Sequence, residues 1–279
     1  MLSIRVNPLF IIVVLLFSLV GLFWESIIAF SLVFFHELVH SYAAYRLGYK
    51  IYRIEIFPFG GVAEYLGLVE MEPLNEIKIA AVGPLFNLIT AAVFFILPYS
   101  NYYIDLIIYY SLIIGLFNLL PALPLDGGRI IRGIFVSKLG FQRGTRLAIK
   151  LAKIFAVIGA GIGVVAIIYN RSNLWILLIS FFVYGAVIKE DKKTIYNLLG
   201  YLTRRREYLA EISLRPVSHR VVKDSVFLRE VISYLIPGKF NVFYVLNNED
   251  EHVATISETT LIDCFFSVED KELEIGDII

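Results

Sequence analysis

The 279-residue chain has little cysteine and few charged side chains. Its one cysteine, Cys264, excludes an internal disulfide framework. Charged residues make up 18% of the sequence, and 25 basic residues balance 25 acidic ones. Because no net positive charge is available to attract a polyanion, we expect no nucleic-acid partner.

Apolar residues, by contrast, account for 58% of the chain, and the mean hydropathy is +0.74. This composition is typical of a multispanning membrane protein. Six apolar runs approach the ~20 residues that a bilayer requires. They are 8–24, 26–46, 79–98, 103–120, 151–169 and 173–189. No small-residue cleavage site follows the first run, so we expect a retained span and not a signal peptide.

The basic residues between these runs predict the orientation in the membrane. An even number of spans places both termini on one side. The segments on that side carry many lysines and arginines, whereas the opposite loops carry only Arg171. By the positive-inside rule, we expect the termini, the large loops and the C-terminal tail in the cytoplasm.

A cluster of ionisable residues lies within the second run. His36 and His40 are one helical turn apart, so both imidazoles can reach one metal ion. Glu37 follows His36, and in a His-Glu-x-x-His pattern this glutamate acts on a water as general base. Ionisable side chains are costly within a membrane, and three in five residues are poorly explained by packing. We therefore expect a catalytic metal site.

The fourth run ends in a segment that supplies an acid. Pro121, Pro124, Gly127 and Gly128 break the helix there, and Asp126 lies among them. Non-helical backbone at this depth is tolerated where protein buries it or where it lines a wet cavity. Alone, Asp126 would be interpreted as a turn cap. Beside a two-histidine site it is the expected third ligand, since catalytic zinc has three protein ligands.

Two other segments have distinctive patterns. Residues 52–56 alternate apolar and charged side chains, and a strand-like piece at 62–69 follows the turn Pro58-Phe59-Gly60-Gly61. This pattern predicts either a hairpin with an open edge for an extended peptide or an amphipathic connection on the membrane surface. The third run opens with Gly83-Pro84, which is favoured at a helix start. Asn87 then either joins helices or belongs to the outer shell of the metal site.

Together these motifs resemble the site-2 protease (M50-type) family of intramembrane zinc metalloproteases. The resemblance is carried, in the family's order, by His36-Glu37-Leu38-Val39-His40, Gly83-Pro84-x-x-Asn87 and Asn118-Leu119-Leu120-Pro121-x-x-Pro124-Leu125-Asp126-Gly127. The short N-terminus, the Pro58-Phe59-Gly60-Gly61 turn and the tail resemble the sporulation branch of that family, which processes a pro-sigma factor.

The resemblance implies one Zn²⁺ per chain, held by His36, His40 and Asp126, with Glu37 as the general base. It also implies substrate-positioning roles for Asn118, Pro58, Phe59, Gly60 and Gly61. The implied substrate is a membrane-associated protein, in the sporulation branch a pro-sigma factor at the bacterial membrane surrounding the forespore. Membrane-bound inhibitor proteins are further implied partners.

From residue 213 the composition is that of a soluble domain. Strands near residues 221–222, 240–246 and 252–256, with helices starting at Asp224 and Ser257, resemble a single cystathionine-beta-synthase (CBS) domain. The resemblance implies ATP or another adenine nucleotide as ligand and a homo-oligomer formed through the domain. The sequence departs from the family by having Thr260 where a ribose-binding aspartate would lie.

We therefore predict a membrane all-α fold, with a six-transmembrane-helix bundle and a membrane-associated loop or hairpin over residues 1–190. A basic linker (191–212) and a small cytoplasmic α/β domain (213–279) follow. The predicted function is intramembrane proteolysis near the cytoplasmic face. The alternatives are a metal or ion transporter and a non-catalytic membrane regulator with a nucleotide-sensing tail. A transporter would not need Glu37, and the repeated halves of alternating-access folds are not apparent in the sequence.

Overall fold

The computed structural model describes residues 3–6, 8–57, 60–66, 72–99, 101–211, 216–267 and 273–279, and over these residues the chain is mostly helical. The helices are α1 (Pro8–Leu19), α2 (Phe23–Arg46), α3 (Pro73–Ile96), α4 (Tyr102–Asn118), α5 (Asp126–Leu139), α6 (Phe141–Tyr169), α7 (Leu174–Glu211), α8 (Leu228–Ile232) and α9 (Glu258–Ser267). The strands are β1 (Ser3–Val6), β2 (Lys50–Phe57), β3 (Gly60–Leu66), β4 (Val217–Lys223), β5 (Phe240–Leu246) and β6 (His252–Ser257).

Three of the described helices, α2, α3 and α6, are long and apolar enough to cross a membrane, and α4 is apolar but shorter. Large apolar side chains such as Phe95, Ile168 and Phe182 are exposed on these helices and on α7, as expected of surfaces that contact lipid. The expectation of a mostly helical membrane protein is confirmed, whereas the number of six spans stays a prediction.

Of the two alternatives for the segment between the second and third apolar runs, the structure has the hairpin. Strand β2 pairs antiparallel with β3, and Phe57 lies opposite Gly60 next to the turn. Pro58 and Phe59 fall outside the described residues. Strand β1 adds to the sheet by pairing parallel with β2, which gives the order β1-β2-β3. We did not expect β1, because four residues at the N-terminus are too few to show a strand pattern.

Helix α3 corrects one expectation from the sequence. Gly83-Pro84 was expected at the helix start, but the helix begins at Pro73 and Pro84 lies inside it. A proline in a helix interior removes one backbone hydrogen bond. Membrane helices accommodate this loss when neighbouring groups bind the carbonyls that are left.

The chain divides into two compact units: Met1–Leu68 with Asn75–Ile131, and Val69–Leu74 with Arg132–Ile279. In the second unit α6 packs closely on α7. A Cβ on Gly163 would be 2.9 Å from Leu177 N, so only a glycine permits this approach. The domain boundaries at residues 190 and 213 stay a prediction.

The C-terminal part of the second unit has the sheet order β4-β5-β6, with β4 parallel to β5 and β5 antiparallel to β6. Phe243, Val245 and Ile256 pack in one core with α8, α9 and the end of α7, which contributes Tyr201 and Leu202. The predicted strand–helix–strand–strand–helix order is confirmed, and the basic segment before it is helical, as part of α7. The CBS resemblance stays a prediction.

Candidate active site

His36 and His40 on α2 and Asp126 at the start of α5 lie together in the first unit. His36 Nε2 is 3.1 Å from Asp126 Oδ2, and His40 Nε2 is 3.1 Å from His36 Nε2 and 3.2 Å from Asp126 Oδ2. All three side chains are buried, with 3%, 2% and 6% of their surface exposed. The predicted three-residue group is therefore assembled from distant parts of the chain.

The geometry of this group fits a zinc ion. Tetrahedral nitrogen and oxygen ligands about 2 Å from an ion are separated from each other by about 3.3 Å. The three atoms of this group have nearly that spacing. Three electron-pair donors packed this closely repel one another unless a cation or a shared proton lies between them. Two imidazoles and one carboxylate are also the ligand types that catalytic zinc accepts.

The ring of His40 is oriented by the backbone of α3. His40 Nδ1 lies 2.6 Å from Ile79 O, and a carbonyl can only accept, so Nδ1 carries the proton. The Nε2 electron pair is then free to bind the ion. The carbonyl that Pro84 leaves without its helical donor is that of Ala80, so the bond from His40 is an additional contact of α3 and does not replace the missing one.

Gly83 lies directly against both histidine rings. A Cβ on this residue would be 2.2 Å from His40 Nε2 and 2.7 Å from His36 Nε2. Any side chain other than hydrogen would therefore occupy the position of the ligand atoms. Gly83 therefore serves the site through its close approach to the histidines, and the Gly83-Pro84 pair does not start the helix.

Asp126 is positioned by close packing between the start of α5 and the loop 119–125. A Cβ on Gly127 would be 2.2 Å from Leu119 O, and a Cβ on Gly128 would be 2.4 Å from Leu123 N. The two glycines were interpreted as helix breakers, but α5 begins at Asp126 and includes both. Their role is to let the helix lie on the loop backbone. Arg129 Nη1, one turn further, is 3.8 Å from Asp126 Oδ1.

The structure places the other predicted residues as follows. Glu37 is half-buried on α2, next to His36. Asn118 is the last residue of α4, half-buried before the loop that leads to Asp126, and its Nδ2 donates to Ile114 O at 3.0 Å. Gly60 and Gly61 begin β3. Their roles stay predictions, as does that of Asn87, which is completely buried.

Sequence reasoning missed two residues that shape the site. Ile79 acts through its backbone carbonyl, so its side chain gives no signal. Gly83 was noted only as a residue that permits close helix approach, and its contact with the histidines depends on how α3 lies against α2. A two-histidine, one-carboxylate centre with a glutamate beside the first histidine defines the class of zinc metallopeptidases.

Comparison with known proteins identifies the family within this class. The sequence profile of Peptidase family M50 matches residues 25–103 and 99–160. Zinc metalloprotease MJ0392 of Methanocaldococcus jannaschii is 33% identical over 86% of this chain and 70% of its own length. Stage IV sporulation protein FB of Bacillus subtilis is 28% identical over 73% of this chain and 71% of its own length.

A solved structure agrees with these relatives. The site-2 protease from Methanocaldococcus jannaschii aligns with this chain with a TM-score of 0.53 and 31% sequence identity. The alignment covers 68% of this chain and 90% of the site-2 protease. The chain therefore belongs to peptidase family M50, and it is a zinc metalloprotease of the site-2 type.

Proposed function

We propose that the chain hydrolyses a peptide bond of a membrane-associated protein near the cytoplasmic face, with His36, His40 and Asp126 as zinc ligands and Glu37 as general base. The observation that carries this proposal is the convergence of the three ligand atoms, within 3.2 Å of one another, next to a helix long enough to span a membrane.

A zinc ion held by these residues supplies Lewis-acid chemistry, which polarises the scissile carbonyl and lets water react near neutral pH. The protein's part begins with Glu37, whose carboxylate accepts the proton of the attacking water and returns it to the leaving amine. Glu37 suits this role because it lies beside His36 on α2 and is only half-buried.

Access of substrate is proposed to involve the hairpin and the loop after α4. Strand β3 is at the edge of its sheet, so its outer backbone groups can pair with an extended peptide. Gly60 and Gly61, with Pro58 and Phe59, would receive the substrate there. Asn118 would bind the substrate backbone, because its Oδ1 is an acceptor beside the non-helical loop that leads to Asp126.

We further propose six spans with both termini in the cytoplasm. Helices occupy each of the six apolar runs, with α1 in the first and the beginning of α7 in the last. The excess of lysine and arginine on one side supports the orientation. Fusion of a reporter that is active only in the cytoplasm, placed after Ile279 or within 170–173, tests it. Activity at the second position would contradict the proposed topology.

A pro-sigma factor at the membrane surrounding the forespore is the substrate that we propose. The similarity to stage IV sporulation protein FB supports this choice. Co-expression with such a pro-sigma factor should produce its processed form. An uncut factor in the presence of zinc-loaded enzyme would exclude this substrate.

For the C-terminal domain we propose adenine-nucleotide binding and pairing of two chains. The order of strands and helices supports a CBS-like domain. Thr260 replaces the expected aspartate, and its Oγ1 lies 3.1 Å from Ser257 Oγ. Titration of the full chain with ATP should change its cleavage rate, and cross-linking should give dimers. Cleavage independent of ATP would exclude nucleotide control.

The deciding experiment compares the native chain with Glu37→Gln, measuring zinc content and cleavage of a membrane substrate in parallel. We expect zinc in both proteins and cleavage only by the native chain, because the amide cannot accept the water's proton. Equal cleavage by the variant would remove Glu37 from the mechanism. Absence of zinc from both would contradict the metal site.

A further inference from the structure

Besides Ser41 on α2, three side chains in the helices around the site have buried polar atoms that lack hydrogen-bond partners among the described residues. These atoms are His36 Nδ1 on α2, both amide atoms of Asn87 on α3 and Ser111 Oγ on α4, and none is hydrogen-bonded within the part of the chain that the structure describes. Asn87 and Ser111 are completely buried, and His36 is 3% exposed. Buried polar groups are almost always paired, so four such atoms in adjacent helices require an explanation.

The packing of the helices places these groups at one level. On α3, Gly83 lies against His36 and His40, and the ring of Phe86 lies 6.5 Å from that of Phe35. Asn87 follows Phe86 and is one turn beyond Gly83, on the same face. It therefore lies on the turn of α3 that faces the His36 region of α2.

Helix α4 approaches the same residue from its other side. A Cβ on Gly115 would be 3.3 Å from the Cβ of Asn87. Ser111 is four residues before Gly115 and shares its face of the helix. Asn87 thus lies one turn of α3 from the glycine that contacts His36, and it contacts the face of α4 that carries Ser111.

We propose that Asn87 is a positioning residue of the zinc site. In the zinc-bound protein the Asn87 side chain would rotate so that its Oδ1 accepts a hydrogen bond from His36 Nδ1 and its Nδ2 donates one to Ser111 Oγ. Neither bond is present in this structure. The inference rests on the proposed role of His36 as a zinc ligand. It accounts for all four atoms with two hydrogen bonds, and it gives His36 the support that Ile79 O gives His40.

The chemistry of a metal-binding histidine favours this arrangement. The imidazole binds through one nitrogen and donates from the other to an acceptor that fixes its tautomer and its orientation. Among the described residues Nδ1 of His36 has no such acceptor. An asparagine is suited to the position, because it accepts from the ring without adding a charge to the membrane interior and donates to a third group.

The experiment measures zinc affinity by chelator competition on the purified full-length chain, independently of cleavage. Asn87→Leu removes both amide groups with little change of volume, and Asn87→Asp keeps an acceptor for His36. Thr145→Val is the matched control: it removes another buried hydroxyl without a partner among the described residues, on α6. Thermal unfolding of the zinc-free proteins is measured alongside.

We expect Asn87→Leu to weaken zinc binding by about 10- to 100-fold, the usual effect of losing a group that supports a ligand. Asn87→Asp should stay within about threefold of the native affinity, and Thr145→Val should equal it. Unchanged zinc affinity in Asn87→Leu, with only a lower unfolding temperature, would overturn the proposal in favour of simple helix packing. An equal loss in the Asp and Leu variants would also overturn it.

Ser111→Ala keeps the test decisive if Asn87→Leu does not fold. This change removes only Ser111 Oγ, the acceptor for Asn87 Nδ2. The Asn87 amide would then be held less firmly against His36, and zinc binding should weaken several-fold. Native affinity in this variant would overturn the two-bond chain. If the native protein binds zinc but cleaves no substrate, only the proposed function is contradicted. If Asn87→Leu cleaves normally and binds zinc with native affinity, only the role of Asn87 is contradicted.

Discussion

Gly83 on α3 leaves no room for a side chain between its backbone and the ring of His40, since a Cβ there would lie 2.2 Å from His40 Nε2. The metal centre is therefore shaped by three separate backbone segments. Helix α2 carries the histidines, α3 supplies the surface against which they rest, and the loop 119–125 supports Asp126.

Replacement of Gly83 by alanine should remove zinc from the protein. The added methyl group would displace the ligand nitrogens, and helix backbones move too little to relieve so close a contact. Zinc content of the purified variant checks this prediction. Gly161→Ala on α6 is the control, because a Cβ there has no neighbour within 4 Å. A Gly83→Ala protein with full zinc content would show that α3 can move away from the histidines.

A second glycine should control the position of Asp126. In Gly127→Ala the new Cβ would be 2.2 Å from Leu119 O, so α5 must move away from the loop and take the adjacent Asp126 with it. We expect weaker zinc binding with a normal helix content, measured by chelator competition and circular dichroism. Gly185→Ala on α7, where a Cβ meets nothing within 4 Å, should keep native affinity. Equal zinc affinities in Gly127→Ala and Gly185→Ala would show that the position of Asp126 does not depend on this packing.

These two glycines also mark the limit of sequence reasoning. The His-Glu-x-x-His spacing predicted that His36 and His40 lie together, because a helix places them on one face. Asp126 could be added because a catalytic zinc needs a third ligand. The contacts of Gly83 and Gly127 could not be foreseen, since they depend on how α3 and α5 lie against segments distant in the chain.

The differences in helix boundaries have a related physical cause. Local rules interpret a proline as a helix start and paired glycines as a break, and these rules led to errors at Pro84, Gly127 and Gly128. Tertiary contacts override such local preferences when the exposed backbone groups find partners. The C-terminal strands were predicted, and the hairpin was one of two predicted alternatives, because alternation of apolar side chains is a local signal that packing reinforces.

Removal of zinc should destabilise the protein. Without the ion, three buried electron-pair donors stay within 3.2 Å of one another, and the protein loses the free energy of binding. At a zinc concentration of about 1,000 times Kd this free energy is about 4 kcal/mol. We expect a chelator to lower the unfolding temperature of the native chain, as measured by circular dichroism. His40→Ala should show no such shift, and an equal shift in both proteins would place the ion elsewhere.

The C-terminal domain contains a buried ion pair that should respond to pH. Arg205 on α7 has Nη2 at 3.1 Å from Glu258 Oε1 on α9, and the two side chains are 3% and 0% exposed. Asn241 Nδ2 donates to Glu258 Oε2 at 2.7 Å. Burial raises the pKa of the Glu258 carboxyl above its ordinary value of 4.5 despite these partners.

Arg205→Met should destabilise this domain by about 3–5 kcal/mol at neutral pH, because it leaves a buried carboxylate without its cation. Adding Glu258→Gln should recover most of that loss, since the double variant buries no charge. Hydrogen exchange of the amides in β5 and α9, measured on the full-length chain, checks both results. Similar protection in the single variant and the native chain would mean that the pair contributes little.

The pH dependence of the single variant gives a further test of the same pair. A carboxyl whose pKa is raised by folding binds its proton more tightly in the folded state. The stability that it contributes is present below the ordinary value of 4.5 and is lost as the pH rises through the folded-state pKa. Loss of the Arg205 cation raises this pKa further, so amide protection in Arg205→Met should be greatest at acidic pH and decline above about 4.5. The double variant lacks the carboxyl and should not show this decline, after correction for intrinsic exchange rates. A decline of the same size in both would assign the pH response to another group.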